Sequence, residues 1–412
     1  MLLSVATVPV PTWVSEVSGL RTIVAVTPAT ASTRPRTGVP QWSPAILVYL
    51  AVRGIGVLVL GLMAARHDVS LSSVLAEWDG QWLLAIATHG YDGVPSTLTD
   101  AQGIHTAETA YAFFPGYPLV VGWLAAVPGI SPVGAALVLN VIFGAVAAVA
   151  VARLGALCAR HTRTGGDPDR AGLYLVVLFA ATPMSVVLNM AYTEALFCAL
   201  AAWALVWVLE RQWLAAGLAA LLIGLVRPTG VAVIAVVMLA ALLARRDGPR
   251  AWAAVVLAPL GYLGYLGYVG MMTGSLTGWF TVQTNGWNTS IDFGAAAGRF
   301  LIDAFTTAED FATIATALVM VGTVGLLAWS FSARLPWPVL LYGALVTASI
   351  LLSSGLMMSR ARLLLPAFVL LIPLALVLSR QRSSTAVAVL APVVVGSAWF
   401  GAYMLTVFQY AI

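Results

Sequence analysis

Residues 131–152 read SPVGAALVLNVIFGAVAAVAVA, an apolar run that contains no charged side chain. A helix of about 20 such residues is long enough to cross a hydrocarbon core of roughly 30 Å. Comparable runs recur from residue 43 to the end of the 412-residue chain, in which 61% of residues are hydrophobic and 9% are charged. Soluble domains carry roughly 25% charged residues. The sequence therefore predicts an integral membrane protein and excludes a water-soluble fold.

The apolar runs predict an all-α bundle of about eleven transmembrane helices. These are expected at 43–64, 131–152, 171–190, 195–209, 213–226, 229–244, 251–271, 311–331, 336–353, 363–379 and 386–409. The stretch 112–128 is also apolar, but prolines interrupt both of its ends. We expect it to lie on the outer face or dip into it.

The distribution of arginine predicts the orientation of the bundle. All twenty basic residues are arginine, a bias typical of GC-rich bacterial genomes, and the inner segments of this topology hold fourteen of them. Such an excess marks the cytoplasmic side. We thus expect a disordered cytoplasmic tail at 1–42, a single multi-pass domain at 43–412 in the cell membrane, and outer loops at 65–130 and 272–310. Without a basic block, nucleic-acid binding is not expected.

The first outer loop carries the residues best suited to chemistry. It contains an acidic pair, Glu77 and Asp79, among Trp78, Trp82 and Tyr91. Aromatic surroundings of low dielectric raise a carboxylate pKa and suit the group to general-base catalysis. Asp79 is therefore the leading catalytic candidate. The alternative is a helix-capping aspartate beside an interfacial tryptophan.

Arginines at the outer ends of spans form a second candidate group. Arg227, Arg360 and Arg362 lie where the topology rule does not favour positive charge. Guanidinium groups bind phosphate through paired hydrogen bonds, so these side chains could hold a lipid phosphate. Equally, they could reach to lipid headgroups.

Two further charged residues require partners inside the bundle. Glu194 stands at the outer end of a span, where burial is costly without a cation, and one of the outer arginines is the natural partner. Arg53 falls near the middle of the first span and is expected to face the bundle interior. The sequence does not identify its partner.

No metal or other cofactor is expected. His89 and His105 share the first outer loop with the acidic pair, but their spacing fits no ligand motif. Cys158 and Cys198 have no spacing typical of a metal site or disulfide. A divalent metal remains conceivable, although arginine could neutralise a phosphate instead.

Five motifs, in order along the chain, resemble the GPI mannosyltransferase II (PIG-V) family of GT-C membrane glycosyltransferases. The first joins WDGQWLLAIATHGYDG at 78–93 to AFFPGYP at 112–118. The others are AYTEALF at 191–197, RPTG at 227–230, QTNGW at 283–287 and SRARLLLPAF at 359–368. Their order and rough spacing agree with the family from residue 43 onward.

The resemblance implies a GT-C-like fold whose first outer loop carries the active site. It implies a polyprenyl-phosphate sugar donor, with mannose the expected sugar, inverting transfer, and a lipid or glycan acceptor on the outer face. Asp79 would be the base and Glu77 the upstream acid of the motif. The other residues expected to bind substrate are Gln81, Tyr91, Glu194, Arg227, Gln283, Arg360 and Arg362.

Two departures from the family pattern place the acceptor in question. The family usually has a histidine or another polar residue followed by an aromatic just after WD, where this chain has Gln81-Trp82, and the insert 92–108 is longer than expected. Two other classes of function stay open. A transporter or flippase of a polyprenyl-linked sugar would share the arginines, but it should show internal repeats, and none is found. A non-catalytic scaffold would need none of the motifs.

Overall fold

Helices form the regular secondary structure of the part that the computed structural model describes, residues 42–162, 166–408 and 410–411. The α-helices of this part are α1 (Ser43–Arg66), α2 (Leu71–Val74), α3 (Asp79–His89), α4 (Gly116–Ala125), α5 (Pro132–Thr162), α6 (Pro168–Ala180), α7 (Glu194–Leu209), α8 (Trp213–Ile223), α9 (Gly230–Leu243), α10 (Pro249–Leu257), α11 (Leu260–Thr273), α12 (Gly278–Trp287), α13 (Ala295–Thr306), α14 (Phe311–Ser332), α15 (Trp337–Leu351), α16 (Arg360–Leu363), α17 (Ile372–Ser379) and α18 (Ser383–Thr406). Short 3-10 helices lie at Thr109–Ala112, Ser185–Leu188, Arg245–Asp247 and Leu365–Leu371.

Five helical stretches are long and apolar enough to cross a membrane. They are α1, α5, Pro249–Thr273 (α10 with α11), α14 and α18. Shorter apolar helices of 10–17 residues accompany them at Gly116–Ala125, Glu194–Leu209, Trp213–Ile223, Gly230–Leu243, Trp337–Leu351 and Leu365–Ser379. The predicted all-α, multi-span membrane bundle is confirmed.

The core of the bundle is formed by α5, α6 and α7, with α1 packed against α18. Small residues allow the close approach of α5 and α6. A Cβ on Gly172 would lie 2.4 Å from the carbonyl oxygen of Ala152, and one on Gly155 would lie 3.0 Å from the Cα of Gly172. Within a bilayer, packing of this kind supplies much of the helix association energy.

The structure differs from the prediction at 171–190, which is not one helix. α6 ends at Ala180, and Pro183 follows three residues later. Proline lacks the amide hydrogen and disfavours helical backbone in the residue before it. The chain from 181 to 193 is therefore irregular apart from one 3-10 turn.

The chain between α1 and α5 contains α2, α3 and α4, and α3 packs on α4 and α5. α4 has 10 residues, which corresponds to roughly 15 Å of helix, half a hydrocarbon core. The predicted tail at 1–42 lies outside the described residues except for Trp42.

Candidate active site

Asp79 is the first residue of α3, and the residue directly before it has an unusual backbone conformation. Trp78, directly before it, has φ 56° and ψ −119°. Non-glycine residues in such regions cost about 1–3 kcal/mol and occur most often at functional sites. The helix N-terminus also favours a negative charge at Asp79.

The Asp79 carboxylate forms an ion pair with Arg362 of α16. Arg362 Nη1 lies 2.6 Å from Asp79 Oδ2. The arginine side chain is 7% exposed, whereas that of the aspartate is 37% exposed. The Arg362 guanidinium also lies over the Tyr192 ring, with Cζ 5.0 Å from the ring centroid. A buried, positioned cation thus holds a carboxylate that stays open to solvent.

A second ion pair lies beside the first. Arg227 Nη1 is 2.8 Å from Glu194 Oε1, and the two side chains are 11% and 2% exposed. The expected arginine partner of Glu194 is thus Arg227, which also lies over the Phe197 ring. Glu194 interacts electrostatically with Arg362 as well. Two carboxylates and two arginines therefore balance their charges in one cluster.

Arg360 has different surroundings from Arg362, although both belong to α16. Its guanidinium donates hydrogen bonds to the carbonyl oxygens of Ile350 (2.6 Å), Ser353 (2.7 Å) and Ser354 (2.6 Å). The side chain is buried. These contacts tie α16 to the end of α15 and to the chain that follows it. The substrate contact expected for Arg360 stays a prediction.

Glu77 and Gln81 flank Asp79 without sharing its ion pair. Glu77 is half-buried, and this burial raises the pKa of its carboxyl group. Gln81 is exposed on the first turn of α3. Glu77 is thus partly accessible and Gln81 accessible beside Asp79.

Tyr91 and Gln283 brace the AFFP segment. Tyr91 donates a hydrogen bond to the carbonyl of Phe113 (2.7 Å), and Gln283 Nε2 donates to that of Ala112 (3.1 Å). Tyr265 also donates to the Phe113 carbonyl (2.7 Å). These contacts link α11 and α12 to the first loop.

The aromatic setting expected around Asp79 differs in the structure. Trp82 stacks on Phe113, and Tyr91 contacts the rings of Tyr111 and Tyr265. These rings pack the loop together, while the electrostatic environment of Asp79 comes from Arg362. Sequence reasoning proposed Arg362 for phosphate and missed its pairing with Asp79, because residues 283 positions apart give no local signal. It also missed the position of Tyr192, whose ring lies against the Arg362 guanidinium.

The described residues contain no group of three or more His, Cys, Asp and Glu side chains arranged to hold a metal ion. His105 Nδ1 lies 2.7 Å from the carbonyl oxygen of Leu98, and His89 is exposed at the end of α3.

An apolar cavity of about 310 Å³ adjoins the arginine segment. It lies between α14 and the chain at 361–371, and Thr182 and Pro183 complete it. Ala361, which stands between Arg360 and Arg362, lines the cavity, as do Leu318, Gly322 and Phe368. The cavity thus includes the residue that directly precedes Arg362 in the chain.

The sequence and fold of this chain were compared with those of known proteins. The sequence matches no protein-family model and no curated protein, so the resemblance to the PIG-V family stays a prediction. Among solved structures, the chain is similar to ArnT from Cupriavidus metallidurans bound to undecaprenyl phosphate, with a TM-score of 0.51 and 13% sequence identity. The similarity covers 83% of this chain and 62% of that chain. The part of the chain that aligns therefore shares the membrane fold of ArnT.

Proposed function

We propose that this protein is an inverting glycosyltransferase that uses a polyprenyl-phosphate sugar as donor. The observation that carries the proposal is the partly exposed carboxylate of Asp79 held by the buried Arg362. An apolar cavity lined by Ala361, the neighbour of Arg362 in the chain, accompanies the pair. The similarity to ArnT, whose structure contains undecaprenyl phosphate, supports the donor class.

Asp79 would act as the general base. Its exposed side can accept the proton of an acceptor hydroxyl while that oxygen attacks the anomeric carbon. The bond between this carbon and the phosphate oxygen breaks, and its electron pair leaves with the phosphate. Attack opposite the leaving group inverts the anomeric configuration, so a β-linked donor yields an α-glycoside.

Arg362 and Arg227 would stabilise the phosphate. Guanidinium groups stay charged when desolvated and bind phosphate oxygens through two hydrogen bonds. Each arginine has a carboxylate partner here, at 2.6 Å and 2.8 Å. The polyprenyl chain would occupy the apolar cavity that begins at Ala361.

Two parts of the proposal, the identity of the sugar and the side of the membrane on which transfer occurs, are inferred from the sequence. Mannose comes from the PIG-V resemblance alone. The excess of arginine in the predicted inner segments favours an extracytoplasmic site, and the acceptor would be a lipid or glycan of that surface. No divalent metal is included in the proposal.

The test is transfer of radiolabelled mannose from polyprenyl-phosphate mannose in membranes that contain the wild type or Asp79→Asn. Loss of a positioned general base costs 10² to 10⁴ in rate, so we expect turnover to fall by at least about a hundredfold. Asp92→Asn makes the same change at an exposed position of the same loop and should retain wild-type turnover.

Normal turnover by Asp79→Asn would refute the assignment of the base. If the wild type transfers no mannose, other polyprenyl-phosphate hexoses and pentoses are tested in the same membranes. Failure with all of them, together with movement of the labelled lipid across the membrane, would favour the flippase alternative.

A further inference from the structure

The chain between α6 and α7, residues 181–193, is irregular backbone inside the bundle. Met184, Ser185, Met190 and Tyr192 are each at most 1% exposed. Backbone polar groups within a bilayer need partners from the protein, because hydrocarbon offers none. This segment therefore depends on hydrogen bonds from other helices.

Arg53 of α1 supplies the first set of these bonds. Its Nη1 donates to the carbonyl oxygen of Ala180 (2.9 Å) and to Ser185 Oγ (2.6 Å), and its Nε donates to Asn189 Oδ1 (2.6 Å). From α18, Ser397 donates to the carbonyl oxygen of Thr182 (2.7 Å). The arginine whose partner the sequence could not identify thus holds the segment from its beginning to Asn189.

Asn140 of α5 holds the last part of the segment, directly after Asn189. This side chain is fully buried. Its Nδ2 donates to the carbonyl oxygens of Met190 and Tyr192, the latter at 3.1 Å. One amide group thus holds the backbone on both sides of Ala191.

The end that Asn140 holds is in contact with the candidate active site. The Ala191 amide donates to the carbonyl oxygen of Leu75 (2.8 Å), four residues before Asp79. A Cβ on Gly80 would lie 3.5 Å from the Ala191 carbonyl oxygen. Tyr192 lies beneath the Arg362 guanidinium, and Glu194 begins α7 directly afterwards.

We infer that Arg53 and Asn140 are positioning residues for the Asp79 site. They act through the segment 181–193. This segment fixes the position of the Tyr192 ring relative to the Arg362 guanidinium and the position of the loop that carries Asp79. This inference rests on the proposed function for its kinetic consequence. Its structural part, the coupling of Asn140 to the chain around Asp79, does not depend on any activity.

Hydrogen–deuterium exchange tests the structural part. In the detergent-solubilised full chain, Asn140→Ala should accelerate exchange in peptides that cover 185–193 and also in those that cover 75–82. Thr316→Val changes another fully buried polar side chain, on α14, and should alter neither region. Unchanged exchange at 75–82 in Asn140→Ala would overturn the inference.

Transfer kinetics test the positioning role. Misplacement of a reacting group by about 1 Å can cost 10²-fold in rate. We expect Asn140→Ala to lower kcat by on the order of tenfold or more, while KM for the polyprenyl-phosphate sugar stays within about twofold. Arg53→Lys keeps the charge but loses the fork of donors, and it should give an intermediate kcat.

A merely structural role would lower the amount of folded enzyme and leave kcat per folded molecule unchanged. That result, with folded protein quantified by size-exclusion chromatography, would refute the positioning role. If the wild type transfers no sugar, the proposed function fails, whereas the exchange experiment still decides the coupling.

Discussion

Ion pairs occur at both ends of α7, and they differ in burial. At its first residue, Glu194 pairs with Arg227, with exposures of 2% and 11%, next to the Asp79–Arg362 pair. Beyond its last residue, Glu210 pairs with Arg153 at 2.7 Å, but the arginine side chain is 48% exposed.

The difference separates charges that solvent can satisfy from charges that the fold must satisfy. Removing ions from water costs several kcal/mol each, and close pairing compensates for it only in part. An exposed pair costs little and contributes little. The buried cluster at the start of α7 is therefore an expensive arrangement, which is typical of a binding or catalytic site. The pair at the other end is an ordinary surface contact.

The largest effect should come from breaking the buried Glu194–Arg227 pair. Glu194→Gln leaves Arg227 as an uncompensated charge, which costs about 3–5 kcal/mol in comparable pairs. We expect a large fall in the melting temperature of the detergent-solubilised protein. The double variant with Arg227→Gln should recover much of this loss. If the single variant melts like the wild type, water reaches the pair and the comparison fails.

An intermediate effect should come from Arg362→Lys. Lysine keeps the charge but loses the planar fork that contacts Asp79 and lies over Tyr192. We expect KM for the polyprenyl-phosphate sugar to rise by on the order of tenfold, which corresponds to about 1.4 kcal/mol. Arg299→Lys, at an exposed position of α13, provides the control. An unchanged KM would indicate that Arg362 serves only to hold Asp79.

The smallest effect should come from Arg153→Gln at the other end of α7. Exposed pairs contribute about 0.2–1 kcal/mol, so we expect a change in the free energy of unfolding of at most about 1 kcal/mol and unaltered sugar transfer. A loss as large as that of Glu194→Gln would remove the distinction between the two ends. Thermal unfolding at low and high salt provides the measurement.

Many of the apolar helices could be predicted because hydropathy is a local property of the chain. The expected helix at 311–331 corresponds to Phe311–Ser332, and that at 195–209 corresponds to Glu194–Leu209. The break after Ala180 was missed, since the apolar composition of 171–190 hides the effect of Pro183. Arg53 was expected to face the interior, and its 6% exposure agrees.

The pairing within the candidate site could not be predicted from sequence. Motif reasoning selected Asp79, Glu194, Arg227 and Arg362, but it had no means to decide which carboxylate meets which arginine. That choice depends on the packing of α16 and on the irregular segment before α7. Asn140 carried no signal at all, because one polar residue in a long apolar helix has no distinctive sequence context.

The shortness of α8 has a consequence for the surrounding lipid. This helix has 11 residues, Trp213–Ile223, and measures roughly 16 Å. Leu214, Leu218 and Leu222 are 45%, 47% and 50% exposed on its surface. This apolar face is about half as long as a hydrocarbon core of roughly 30 Å. A short apolar helix is accommodated by local thinning of the bilayer, by flanking side chains that extend to the interface or by oligomerisation, at a modest free-energy cost for each ångström of mismatch. We therefore expect the stability of this protein to depend on the acyl-chain length of the surrounding lipid as well as on its own sequence.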